Sequence, residues 1–189
     1  MNTKPTHTPR RIMGIDPGMR HLGVAILEGE NLVWYGVKTF EYGPALPQRQ
    51  TEMREYLTKL FVTHAPTVLA VEEPFYAQSL MSSGLKQLTQ DLKTWGQWKE
   101  LRVYSYVPPA VKAFFCRDRQ TKQSLAEALI AQYPFLTRYF TNLPWRRRYW
   151  FHVFDAVGLA LMCERKLARS GISPSAPSGT RAEMRENAR

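Results

Sequence analysis

Apolar and polar positions along this chain fall into blocks with two different periods. Ile12, Met13 and Ile15 form a short apolar run that ends on a carboxylate, Asp16. Pro17 and Gly18 follow with turn chemistry, since proline fixes φ and glycine accepts φ > 0. Gly23 to Leu27 resumes a strand-like run, and Leu32 to Phe40, after a turn at Gly29–Asn31, reads as a third strand. Strands joined this tightly predict an antiparallel meander. The period then changes. From about Gln48 to His64, Met53, Tyr56, Leu57, Leu60 and Phe61 recur at helical spacing, and Pro66 ends the helix. The run from Thr67 to Val71 is apolar again and closes on Glu72, Glu73 and Pro74. A helix crosses over before it, so this strand is predicted to lie parallel to the first.

The second half alternates in the same way. A helix is predicted from Ser79 to about Glu100, where Met81, Leu85, Leu88, Leu92 and Trp95 step by four, three, four and three. That is the spacing of a packing seam. One reading packs it on the protein's own sheet; the other has it also form a dimer interface, with Trp98 beside it. Arg102 to Val107 is the fifth strand, closed by Pro108 and Pro109, and Ala110 to Phe114 is a short helical turn. Cys116 to Lys122 is a polar, basic connection, and Thr121 can cap a helix through Leu125, Ala128, Leu129 and Tyr133. Residues Pro134 to Trp150 read as irregular and aromatic-rich. The last helix is predicted from about Tyr149 to Ala168, with Gly171 as its stop. These elements define an α/β fold with a mixed five-stranded sheet flanked by helices. The domain spans 12–170, between a basic N-terminal tail, 1–11, and a basic C-terminal tail, 171–189, of disordered, linker-like composition.

Charge sharpens this division. The formal charge is +10, of which residues 1–11 carry +3 and residues 165–189 carry +4. Basic tails attract a polyanion without reading its sequence. No apolar run approaches a membrane span, and the first eleven residues contain no apolar secretory core. Cys116 and Cys163 form neither a disulfide framework nor a paired metal spacing, which fits a reducing, cytoplasmic setting.

Candidate chemistry gathers on four residues. Asp16 ends the first strand and Glu72 ends the strand predicted beside it, so their carboxyl ends meet at one sheet edge, where open α/β sheets bind ligands. His152 and Asp155 lie three apart on the last helix and share a face. That helix is otherwise apolar, and a buried Asp is costly unless paired or metal-bound. Three carboxylates with no evident basic partner repel one another, and divalent cations resolve the conflict. Two cations about 4 Å apart can activate water and stabilise the leaving oxygen of a phosphodiester. Oxygen ligands favour Mg²⁺, and His152 is compatible with Mn²⁺. His152 either ligates metal or acts on the water.

Four motifs together resemble the RuvC family of Holliday-junction resolvases. They are Gly14 to Gly18 with Gly23 to Ala25, Ala70 to Phe75, Pro109 to Lys112, and His152 to Ala160. The resemblance spans about residues 12–166. It implies a ribonuclease-H-like fold, a homodimer with two active sites, and paired symmetric nicks in four-way junction DNA. It places the family's acids on Asp16 and Glu72, and its final pair on His152 and Asp155, with two Mg²⁺ per site. A junction-facing aromatic falls on Phe75, with Tyr76 beside it. Basic residues near the scissile phosphate fall on Lys112 and Lys122, with Arg117 and Arg119 around the second. Arg146, Arg147 and Arg148 add a further basic run to this DNA-facing set, in a segment longer than the family needs. A branch-migration motor complex is a further partner of such an enzyme. Glu73 rivals Glu72, which is preferred for matching the family position. The alternatives are another RuvC-like nuclease, of mobile-element, RNA-guided or RNA-processing type, and a non-catalytic nucleic-acid-binding module on the same fold. A two-lobed sugar-kinase-like ATPase is disfavoured by length and by the lack of a second Gly-rich phosphate loop.

Overall fold

A computed structural model describes residues 9–41, 45–74, 83–140 and 144–171; for 144, 145 and 147 it describes the backbone only. Five strands form one sheet: β1 (Arg11–Asp16), β2 (His21–Glu28), β3 (Asn31–Thr39), β4 (Val68–Glu72) and β5 (Arg102–Tyr106). Their order is β3-β2-β1-β4-β5. The first three are antiparallel neighbours, while β4 pairs parallel to β1 and β5 parallel to β4. The meander and the parallel crossover are therefore as the pattern of apolar positions predicts. Gly29, at φ 57, makes the tight β2–β3 turn in a backbone region that costs other residues energy.

Strand parity sorts the side chains into two cores. Met13, Ile15, Leu22, Val24, Leu69 and Val71 point to one face. There they pack on helix α1 (Leu46–His64) and helix α2 (Ser83–Trp98) through Met53, Leu57, Leu88, Leu92 and Trp95. Ile12, Ala25, Leu27, Val68 and Ala70 point to the other. That face is covered by α4 (Lys122–Gln132) and α5 (Pro144–Arg169), with α3 (Pro108–Phe115) contributing Val111. Asp16 has the parity of Ile12 and Gly14, and Glu72 that of Val68 and Ala70. Both carboxylates are thus directed to the α5 side of the same strand ends.

Two glycines let α5 sit directly on the sheet. A methyl group at Gly14 would collide with the Ala156 carbonyl, and one at Gly23 with the His152 carbonyl. The helix backbone rests on these two positions, which fixes His152 and Asp155 over the ends of β1 and β2. Around them Val153, Phe154, Ala156 and Val157 are buried.

Two sequence expectations are corrected. The segment after α4 is not irregular throughout: Pro134–Tyr139 forms a 3₁₀ turn, and α5 begins at Pro144 rather than near Tyr149. Arginines in a first helical turn oppose the helix dipole, so nothing in Arg146 to Arg148 marks a helix start. Tyr149 offsets this by donating to the Val37 carbonyl, 3.3 Å away on β3. Second, Pro108 and Pro109 do more than close β5. They open α3, where proline's missing N–H costs nothing. The α2 seam packs on the protein's own sheet: Leu85, Leu88, Leu92 and Trp95 are buried in the fold, and Trp98 beside them is 72% exposed. Met81 lies outside the described residues.

Candidate active site

Among the described residues, Asp16 and Asp155 are the two carboxylates buried outright, at 5% and 4% exposed. His152 Nδ1 lies 2.6 Å from Asp16 Oδ2. Lys122, from the first turn of α4, sets its ammonium on Asp155 Oδ2. Glu72 completes the group. Its carboxyl is held well above the ordinary range by desolvation first, then by the charges of Asp16 and Asp155, with Lys122 and Lys112 pulling the other way. Asp155 is raised in the same manner, by burial and then by Asp16, against the opposing pull of Lys122 and His152. Burial works against the Lys122 ammonium, but the charges of Asp155, Asp16 and Glu72 outweigh it and raise its pKa.

The sequence suggested no basic partner for these carboxylates, and this is corrected. Lys122 and His152 already partner Asp155 and Asp16. As the side chains stand, no three of the described His, Cys, Asp and Glu residues close on one point tightly enough to hold a metal ion. The physical reason is visible in the pairings, which turn Asp16 and Asp155 onto the imidazole and the ammonium. The chemistry of the set nevertheless suits a divalent cation. Burial, and then the charges of Asp16 and Asp155, raise the Glu72 pKa, and a hard cation with oxygen ligands relieves the repulsion among the three.

Glu73 is separated from the group. It pairs with Lys93 on α2, whereas Glu72 feels the charges of Asp16 and Asp155. Lys112 acts on Glu72 from α3 through its charge. Arg117 and Arg119 are exposed on the loop before α4, around a shallow depression of about 320 Å³ that also takes in Phe115, Cys116, Asp118 and Ser124. None of Asp16, Glu72 and Asp155 lines that depression. Thr121 caps α4 by accepting from the Ser124 amide at 3.0 Å, which seats Lys122 at the helix start. Arg146 and Arg148 are exposed on α5. Phe75, Tyr76 and the side chain of Arg147 lie outside the described residues.

His21 was not foreseen. It opens β2 with the parity of Gly23, toward α5, and its ring centroid is 5.6 Å from that of His152. Its Nδ1 lies 3.2 Å from Thr39 Oγ1, and Tyr149 meets it edge-on at 5.3 Å. Burial, then the charges of His152 and Arg20, lower its pKa. The available signal was parity alone: His21, Gly23 and Ala25 share a face.

A mixed sheet in this order, with carboxylates at the ends of adjacent parallel strands and on the helix laid across them, defines the ribonuclease-H-like fold. The family model for crossover junction endodeoxyribonuclease RuvC matches residues 12–143. The chain belongs to the RuvC family. A RuvC from Salinispora arenicola is 28% identical over 128 residues, covering 65% of this chain and 73% of the relative. One from Synechocystis is 31% identical over 84 residues, covering 42% of this chain and 50% of the relative. The chain spans about half the length, or less, of most curated relatives it matches. Among solved structures, Thermus thermophilus RuvC in complex with Holliday junction substrate superposes with a TM-score of 0.67 at 21% identity, covering 87% of this chain and 98% of that one.

Proposed function

We propose that this chain is a metal-dependent endonuclease that resolves four-way DNA junctions by paired symmetric nicks. The observation that carries this reading is the gathering of Asp16, Glu72, Asp155 and His152 at the carboxyl ends of β1 and β4. A related protein of the same fold was solved with Holliday junction substrate, which supports the substrate class. The catalytic domain is 12–170, flanked by basic tails that add affinity for DNA without sequence preference.

Asp16, Glu72, Asp155 and His152 would hold two Mg²⁺ ions, or Mn²⁺, which supply Lewis-acid activation of water and stabilise the leaving oxygen. Asp16 would be central to the set, and His152 Nδ1 lies 2.6 Å from one of its oxygens. The same contact orients the imidazole and leaves Nε2 as its outward nitrogen, placed to ligate or to take a proton. Lys122 is released from Asp155 when phosphate enters, and with Lys112 it positions the scissile group. Arg117, Arg119, Arg146, Arg147 and Arg148 hold the flanking backbone. Phe75 and Tyr76 stack on unpaired bases at the crossover. Two such sites in a homodimer give the two nicks, and a branch-migration motor is a further partner. The setting is cytoplasmic, and no helix among the described residues is long and apolar enough to cross a membrane.

A labelled four-way junction, a duplex and a Y-fork, each with Mg²⁺, Mn²⁺ or EDTA, test the proposal. Metal-dependent paired nicks in the junction alone are the expected result. Cleavage of all three, or of none, overturns it.

A further inference from the structure

The segment from Pro134 to Trp150 carries Arg138, Arg146, Arg147 and Arg148 and no acidic residue, together with six aromatic side chains. The structure lays its described part against β3, the edge strand beyond β2. Tyr35 of β3 stacks with Phe135 at 6.0 Å and 28°, and meets Tyr139 edge-on at 5.6 Å. Tyr139 contacts Trp150 at 4.2 Å. The Arg138 guanidinium lies 5.3 Å over the Tyr139 ring, and Phe135 is 43% exposed.

This aromatic group is continuous with the active site. Trp150 contacts Tyr149 at 4.9 Å, Tyr149 contacts His21 at 5.3 Å, and His21 contacts His152 at 5.6 Å. An unbroken run of ring contacts thus leads from the carboxylates to an exposed Phe and Arg at the sheet edge. A hydrophobic group serving only to cover β3 needs neither an exposed ring at its end nor a guanidinium laid over its Tyr139 ring.

We propose that Phe135, Tyr139 and Arg138 form a stacking platform for an unpaired DNA strand leaving the active site. Duplex bases already stack on one another and offer no free face, whereas an unpaired base offers one to Phe135. Base–aromatic stacking accepts any base, since each has a π-face, and the guanidinium meets the phosphate. The platform deepens the nuclease reading, on which its choice of substrate rests, by naming the path of the strand beyond the cut.

The test uses the full chain in EDTA, with a fluorescent oligo-dT 12-mer and a fully paired duplex as probes. Phe135→Ala should weaken 12-mer binding by about 5- to 150-fold, the factor that about 1–3 kcal/mol of stacking represents, and Arg138→Ala, which loses a phosphate contact and the ring's guanidinium cover, by about fivefold. Duplex binding should change by less than about threefold in both, and Phe135→Trp should retain 12-mer affinity. With 5-iodouracil in the 12-mer, photocrosslinks should map to residues 135–150. Unchanged 12-mer affinity in both variants, equal losses on duplex, or crosslinks only elsewhere each overturn the platform. Arg138 is exposed, so its variant keeps the test valid even if Phe135→Ala lowers the melting temperature. Because binding is read without metal, a wild type that holds the 12-mer on this platform but cuts no junction overturns the nuclease reading and leaves the platform standing.

Discussion

His152 Nδ1 sits 2.6 Å from Asp16 Oδ2, joining two residues 136 positions apart in the chain. The contact depends on Gly23, whose missing side chain lets the His152 backbone approach β2. It holds the carboxylate and the imidazole in one relative orientation before any substrate arrives. Asp16→Asn keeps the size and a hydrogen-bonding oxygen but removes the charge. Junction cleavage should fall on the order of 10³-fold or more, as when one member of a cooperating site is lost. Junction binding in Ca²⁺ or EDTA should stay within about threefold. Cleavage near wild-type rates would remove Asp16 from the chemistry.

Neighbouring glutamates provide an internal control. Glu72 is directed toward Asp16 and Asp155, while Glu73 is held by Lys93. Glu72→Gln should abolish cleavage, and Glu73→Gln should leave the rate within about threefold, since a partly exposed ion pair contributes about 0–1 kcal/mol. Measuring both variants on one junction substrate decides the assignment. The reverse outcome would exchange their roles.

The same carboxylate predicts a pH effect on stability. The Glu72 carboxyl is raised well above 4.5 in the folded protein. A raised acid binds its proton more tightly in the folded state than in the unfolded one. Its charging therefore costs stability as pH rises from about 4.5 through the folded pKa. Asp155, also raised, acts with the same sign. Metal-free protein should melt at lower temperature at pH 8 than at pH 5.5. Glu72→Gln should reduce that difference and stabilise the metal-free protein at pH 8 by about 0.5–2 kcal/mol, in the range of other relieved active-site strains. Urea melts in EDTA at the two pH values read this directly, and a variant less stable than wild type at pH 8 refutes it.

Lys122 is the counter-charge of Asp155 in the structure. Lys122→Met removes the ammonium but keeps most of the apolar stem. The buried Asp155 then lacks its ion-pair partner, and metal-free stability should fall by about 1–3 kcal/mol. Added Mg²⁺ should recover most of this loss if a cation takes the place of the ammonium. Denaturation with and without Mg²⁺ measures both steps. A loss that Mg²⁺ does not touch would separate Lys122 from the metal-binding carboxylates.

How much of this was legible in the sequence depends on the range of the signal. Five strands, and the directions of the first four, followed from apolar periods and one crossover; that β5 runs parallel to β4 did not. Asp16 and Glu72 were legible because strand ends in an open sheet meet at one edge. The pairings were not. Whether Lys122 reaches Asp155 or a phosphate depends on how α4 packs on α5, and Lys122 is 33 residues from Asp155. Glu73 pairs with Lys93, on a different layer of the fold. The early start of α5 was hidden because Arg146 to Arg148 oppose its dipole, and the compensating bond from Tyr149 to Val37 spans 112 residues. His21 lacked any motif, and its place beside His152 emerges from strand parity together with the seating of the helix.

That seating gives the last prediction. Gly23 on β2 and Gly36 on β3 are the same residue type on adjacent strands of one sheet. A Cβ at Gly23 would strike the His152 carbonyl, which is helix backbone and cannot turn aside. A Cβ at Gly36 would meet the far atoms of the Trp34 ring at 3.0 Å, and a side chain can shift by that little. Gly23→Ala should therefore lift α5 off the sheet, cost about 1–3 kcal/mol as an overpacked core does, and separate His152 from Asp16. A displacement of about 1 Å at a reacting group costs on the order of 10²-fold in rate. Gly36→Ala should melt within about 1 kcal/mol of wild type and cleave at a similar rate. Parallel melting curves and single-turnover cleavage of both variants test the pair. Equal behaviour would mean that the approach of α5 to β2 does not set the active-site geometry.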